Sequence, residues 1–259
     1  MRLIQITDCH LGATSEDTLV GINTTESLRD VLALINRENP HFDAILCSGD
    51  VSNDGSLESY PRFIDTVREV FSQPIAWIAG NHDDSIVMSS RYKDLAETRL
   101  LDLGEWQIVL LDSSVPQHVH GEVAEAELVY LQRVLEQNLD KPTMVSLHHQ
   151  LLPVGSEWMD KYIVTNAQAV LDLLAEHPQV KIVSFGHVHQ EFEATYRGIT
   201  CLATPSTCIQ FKPECKDFTL DTLTPGYRWY DLAPDGNFTT GVSRVTDKVY
   251  SLDVNSTGY

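Results

Sequence analysis

The sequence predicts one α/β sandwich domain, and three features carry that expectation. Short β-rich apolar runs recur at residues 2–6, 44–48, 75–79, 107–111, 143–147 and 180–185. Segments with helical periodicity separate most of them, which is the alternation an α/β fold requires. A chain of 259 residues, 42% of them hydrophobic, can bury a sizeable core. Length alone allows one domain or two small ones, but no repeat, low-complexity tract or linker interrupts the pattern. Residues 1–245 are therefore expected to form one domain, with a tail at 246–259.

The elements follow in chain order. Met1–Thr7 enters an apolar run at once, without the basic start and cleavage site of a secretory signal, and predicts a first strand. Asn23 is placed to cap the first helix. Glu26 can complete a capping box, and Leu28, Val31, Leu32 and Ile35 recur on one face. Leu128, Leu131 and Leu135, then Val170, Leu171 and Leu174, mark two later helices with core-facing stripes. Beyond Gly186 come shorter runs at 191–196, 199–203 and 226–231, with a Pro-Asp-Gly hairpin turn at 234–236. These are expected to form a second sheet closing the same domain.

Composition narrows the function. With 37 acidic against 18 basic residues the net charge is -19, which repels a polyanion and disfavours a nucleic-acid partner. No window approaches the roughly 18 apolar residues of a membrane span, so the expected partner is neither nucleic acid nor membrane and the expected location is cytoplasmic. Cys9, Cys47, Cys201, Cys208 and Cys215 are odd in number and form no CxxC pair, so reduced thiols are expected, with Cys9 packed in a tight turn.

Five polar clusters each follow an apolar run: Asp8-Cys9-His10, Gly49-Asp50, Gly80-Asn81-His82-Asp83, His148-His149 and Gly186-His187-Val188-His189. Strand ends are where α/β sheets gather ligands, because the loops there converge on one edge. In Asp-x-His and His-x-His, residues two apart in an extended segment would point the same way and reach one ion. Imidazole nitrogen mixed with carboxylate and amide oxygen suits Mn, Fe, Zn or Co, and Asp50 has two oxygens with which to bridge a pair. A second His-x-His, at His118 and His120, follows Pro116-Gln117 and is expected to be loop rather than ligand. His41 and His177 are expected at the surface, and Asp43, Asp54 and Asp84 as solvated residues or turn formers.

The order Asp8/His10, Asp50, Asn81-His82-Asp83, His148, His187/His189 resembles the calcineurin-like metallophosphoesterases over residues 2 to about 190. More narrowly, Gly80–Asp84, Leu202–Cys208 and Gln210–Pro213 are similar to the bacterial class III 3',5'-cyclic AMP phosphodiesterases, extending the match to about residue 245. The resemblance implies a four-layer α/β/β/α sandwich with two mixed β-sheets. It implies two divalent or trivalent metal ions, Fe and Mn foremost, with Zn or Co as alternatives. One ion would be held by Asp8, His10, Asp50 and His189, the other by Asp50, Asn81, His148 and His187. His82 would face the scissile phosphate as the catalytic side chain, and His10, Asp50, Asn81, His82 and His189 would surround the substrate. The chain departs from the family pattern at Gln150, after His148-His149; His148 directly ends its apolar run and is the expected ligand, His149 a supporting residue.

The implied reaction is hydrolysis of 3',5'-cyclic AMP to 5'-AMP by a metal-bridging hydroxide, in a monomer or dimer. Two rivals remain at this level. The same chemistry could serve another diester, such as a glycerophosphodiester or a 2',3'-cyclic nucleotide, or the fold could be a non-catalytic metal-bound regulatory module. For Ser206 and Thr207, a structural turn around Pro205 is as well supported as substrate contact.

Overall fold

A computed structural model describes residues 1–96 and 98–253. The chain opens with β1 (Arg2–Ile6), a two-residue ribbon of β2 (Thr18–Leu19) and β3 (Ile22–Asn23), and α1 (Thr24–Glu38). It continues through β4 (Ala44–Cys47), α2 (Ser59–Arg68), β5 (Ile75–Trp77), α3 (Ser85–Arg91) and α4 (Lys93–Ala96). A second half adds β6 (Leu100–Asp102), β7 (Gln107–Leu110), α5 (Glu125–Gln137), β8 (Thr143–Ser146), α6 (Ala167–Ala175) and β9 (Val180–Phe185). Last come β10 (Phe192–Tyr196), β11 (Ile199–Ala203), the short pair β12 (Gln210–Phe211) and β13 (Leu220–Asp221), β14 (Gly226–Leu232) and β15 (Phe238–Arg244).

All six apolar runs are strands, and α1 starts where expected: the Asn23 side chain accepts from the Glu26 amide at 2.9 Å. Two mixed sheets result, ordered β15-β14-β1-β4-β5 and β10-β11-β9-β8-β7-β6. The three longer runs after Gly186 do not form the second sheet by themselves; of the strands there, only the two-residue β12 and β13 pair apart from the main sheets. β10 and β11 extend the sheet of β9, whereas β14 and β15 return to pair antiparallel with β1. A strand run carries no mark of which edge it will join; the long return through 204–225 allows the final hairpin to complete the first sheet.

Three separate apolar clusters define the layers. Along β1, Ile4 and Ile6 face α1 and α2, packing with Leu28, Val31, Leu32, Phe63 and Trp77. Leu3, one residue out of phase, enters the space between the sheets with Leu46, Ile108, Met144, Ile182 and Tyr230. The outer face of the second sheet packs Val145, Val183 and Phe185 against Leu131, Leu135, Val170 and Leu174. Helix, sheet, sheet and helix are thus stacked with apolar side chains at each boundary. No helix among the described residues is long and apolar enough to cross a membrane.

The described part of the expected tail lies against the domain: Lys248 and the Tyr250 hydroxyl bond Asp30 of α1, and the Asp253 amide donates to Val20. Residues 254–259 of that tail lie outside the described residues.

Candidate metal centre

Each of the five polar clusters lies just past the C-terminal end of a strand, after β1, β4, β5, β8 and β9. These strands run parallel within their sheets, so their C-terminal loops meet at one edge of the sandwich. Backbone bonds then join the loops: the Asp8 amide donates to Gly49, His10 to Asp50, Leu11 to Val51, and Gly186 to His148, all at 2.9–3.0 Å.

The segments are not extended, as the two-residue spacing had suggested. Asp8, His10, Asp50, His187 and His189 all have left-handed backbone, with φ of 53°, 47°, 49°, 63° and 47°. Non-glycine residues adopt this region at a cost on the order of 1–3 kcal/mol each, so the surrounding bonds must impose it. Alternating left-handed residues curl each loop around the site, aiming Asp8 and His10, and again His187 and His189, inward together. Asp8 and His10 thus converge as expected, in one metal-capable group with His189, whereas His187 groups with His148 and His149, so the His-x-His pair spans two groups rather than one.

The site is close-packed. Asp8 Oδ1 lies 3.2 Å from His189 Nε2, and His10 Nε2 lies 3.2 Å from the same nitrogen. Asp50 Oδ2 is 3.3 Å from His148 Nε2 and 3.7 Å from His10 Nε2, so one oxygen stands between the two halves. Its partner oxygen, Oδ1, is fixed by the His82 amide at 2.8 Å. Asn81 Oδ1 completes the second half, 3.2 Å from His148 Nε2.

Protonation identifies what such a cluster lacks. His148 Nδ1 bonds the Ser48 carbonyl at 2.8 Å, and His189 Nδ1 bonds the Ile209 carbonyl at 2.9 Å. A carbonyl only accepts, so each Nδ1 carries the proton and each Nε2 turns a lone pair toward oxygen or nitrogen lone pairs. Only a cation in their midst, proton or metal, reconciles that arrangement. Burial would lower His148, but Asp50 overrides it and raises the imidazole to about 9, the proton serving as the cation. Burial and then His149 push His187 well below the ordinary value, and its buried Nε2 has no hydrogen-bond partner. Burial, with His82, takes His10 down to about 3. Burial would raise Asp8 and Asp50, yet His189 for the first and His148 for the second hold both carboxyls low. Apart from His148, whose proton a metal ion would displace, the lowered imidazoles of His10 and His187 and the ionised carboxyls of Asp8 and Asp50 are in the protonation states that metal ligands need. The residues present fit metal ions.

The remaining sequence expectations sort themselves by contact. His149 is near His148 and His187, but its Nδ1 accepts from Ser113 and its Nε2 donates to the Val119 carbonyl, so both nitrogens are engaged. Gln150 packs inward and bonds the Met159 carbonyl. His118 and His120 contact one another in a surface loop and belong to no metal-capable group among the described residues. Asp84 caps α3, and Asp54 and Asp43 bond nearby or facing amides. Ser206 and Thr207 are structural: the Ser206 hydroxyl donates to the Asp8 carbonyl, and the Thr207 amide to Thr7. All five cysteines are free thiols, Cys9 fully buried.

The Calcineurin-like phosphoesterase family profile matches residues 1–191. The chain belongs to that family. Membership implies a dinuclear metal site, in keeping with the two halves around Asp50. Among curated proteins, the chain is 44% identical to the 3',5'-cyclic adenosine monophosphate phosphodiesterase CpdA of Pseudomonas aeruginosa, over 99% of this chain and 94% of that one. It is 41% identical to CpdA of Escherichia coli K12, over 100% and 95%. The fold is also that of a dimetal phosphatase from Danio rerio, with TM-score 0.65 at 16% identity, over 96% of this chain and 99% of that one.

Sequence reasoning missed two parts of this family site. Asp83 accepts amide hydrogens from Val51, Ser52 and Gly80 and so locks the Asp50 and Asn81 loops together. It belongs to the Gly80-Asn81-His82-Asp83 cluster, but the sequence assigns it no role there. A cavity of ≈ 280 Å³ beside the metal cluster has an aromatic side built from Trp158, Tyr162, Phe211 and Phe218. These come from segments distant in sequence, and no spacing joins them.

Proposed function

We propose that this chain is a metal-dependent phosphodiesterase that hydrolyses 3',5'-cyclic AMP to 5'-AMP. The observation that carries the reading is the cluster of inward-facing lone pairs on His148 and His189 against Asp8 and Asp50, in a chain close along its whole length to the two CpdA phosphodiesterases. Asp8, His10, Asp50 and His189 would hold one ion, and Asp50, Asn81, His148 and His187 the other, with Asp50 shared. Fe and Mn suit this mixed nitrogen and oxygen set, as Zn or Co also would. When bound, such a pair supplies Lewis acidity to phosphoryl oxygens and makes water a competent nucleophile near neutral pH.

The rest falls to the chain. The His82 amide fixes Asp50 in one rotamer, and its ring donates through Nδ1 to the Asn53 carbonyl at 2.8 Å. That bond sets the ring orientation, and Nε2 is the atom that would hand a proton to the departing 3' oxygen. His82 is one of the cavity-lining residues, beside Asp50, Asn81 and His187. His10, Asp50, Asn81, His82 and His189 would surround the phosphate.

The test is the initial rate on 3',5'-cyclic AMP, 2',3'-cyclic AMP and glycerophosphoethanolamine with Mn-loaded protein and with Asn81→Ala. The expected result is preference for 3',5'-cyclic AMP, and for the variant a loss beyond the roughly 10–100-fold that follows removal of an outer-shell partner. Clear preference for another diester would leave the metal chemistry standing and remove the substrate.

A further inference from the structure

We infer that the aromatic side of the cavity is a nucleobase wall, with Trp158 and Phe218 as the residues that make the enzyme prefer nucleotides over base-free phosphates; the inference rests on the phosphodiesterase reading above. The cavity lining is of two chemical kinds: the polar Asp50, Asn81, His82 and His187, and the aromatic Trp158, Tyr162, Phe211 and Phe218. A nucleotide has the same division, an anionic phosphate joined through ribose to a flat, uncharged heterocycle. Among the described residues, no lysine or arginine and no acid besides Asp50 lines the cavity, so its aromatic part suits a neutral ring better than a second phosphate or the ammonium of a glycerophosphoethanolamine.

The wall is built to hold its shape. Trp158, Phe211 and Phe218 pack mutually edge to face, with ring centroids 5.0, 5.1 and 5.4 Å apart. Phe211 stacks on His189 at 4.2 Å with planes 15° apart, which ties the wall to the metal cluster. The Phe211 amide also donates to the His189 carbonyl, and Lys212 to Thr219 across the turn that carries Phe218. On the opposite loop, Asp160 accepts from the Val154 and Gly155 amides, and Gln150 holds the Met159 carbonyl, fixing the turn that bears Trp158 and Tyr162.

Stacking of a base on an aromatic side chain is worth roughly five- to a hundredfold in binding. The experiment uses the Mn-loaded enzyme, Trp158→Ala, Phe218→Ala and the conservative Trp158→Phe, each checked for an unchanged melting transition. Two ratios are read: KM for 1-O-methyl ribose 3',5'-cyclic phosphate over KM for 3',5'-cyclic AMP, and the calorimetric Kd of ribose 5-phosphate over that of 5'-AMP. Both should be well above one in the wild type, fall toward one in the alanine variants and recover largely in Trp158→Phe. Wild-type ratios near one, or ratios unchanged in folded alanine variants, would overturn the wall. The binding ratio is independent of turnover. A wild type that fails to hydrolyse 3',5'-cyclic AMP yet still prefers 5'-AMP in a Trp158-dependent way would sink the phosphodiesterase reading and leave the wall standing.

Discussion

Gly80 shows how narrowly the site tolerates its own side chains. A Cβ there would lie 2.2 Å from Asp50 Oδ1 and 2.5 Å from the Asp50 amide nitrogen, closer than any contact that a backbone can relieve. Gly49, at φ 103°, is constrained twice, by its conformation and by His148 Nδ1 at 2.3 Å from the same imagined carbon. Gly80→Ala should therefore push Asp50 off the position its two neighbours require. The expected outcome is metal affinity lower by about 10–100-fold in a chelator competition, the range for losing a ligand's support. An unaltered affinity would mean that the loops yield more readily than their mutual bonds suggest. At this scale the sequence was most legible: ligand-type residues in five clusters announce themselves by chemistry. The left-handed backbone did not, because glycine was absent from five of the positions that adopt it.

At the level of elements, the six strand runs and α1 followed from period and capping alone. The partner of β1 did not. Arg2 marks that junction, its guanidinium bonding Asp231 of β14 at 2.8 and 2.6 Å. The bond to Arg2 lowers the Asp231 carboxyl from its reference of 3.8. A carboxyl depressed on folding adds stability above its unfolded value, and that stability is lost as pH falls through the lower, folded one. Both side chains are substantially exposed, so after solvent screening the pair is worth only about 0.5 kcal/mol. Urea unfolding of Asp231→Asn beside the wild type should show that difference at pH 7 and none well below pH 3.8. A difference that persisted in acid would place the stabilisation in packing rather than charge.

For the molecule as a whole, the acidic surface and the site pull in opposite directions. A net charge of -19 opposes an anionic substrate, while buried carboxylates and imidazoles oppose one another until cations join them. Ions that bind only the folded chain add about 4 kcal/mol at a thousand times their dissociation constant. For a chain of this size that corresponds to roughly 10 °C in Tm. Exhaustive chelation should lower Tm by about that much, and Mn should restore it; a Tm indifferent to both would argue against ions among these ligands.

The sequence by itself determined the strands, the first helix, the presence of ligand-type residues at strand ends and the family, because period and residue type are local properties that survive without coordinates. Tertiary structure decided which sheet the last hairpin joins, the curl of the polar loops, the clamp at Asp83 and the aromatic lining beside the polar cluster. Each of these depends on atoms brought together from distant positions: Phe211 reaches His189 and Trp158 only after two loops have folded over the same sheet edge. Contact between remote segments is set by packing and loop closure, which no spacing along a single chain encodes.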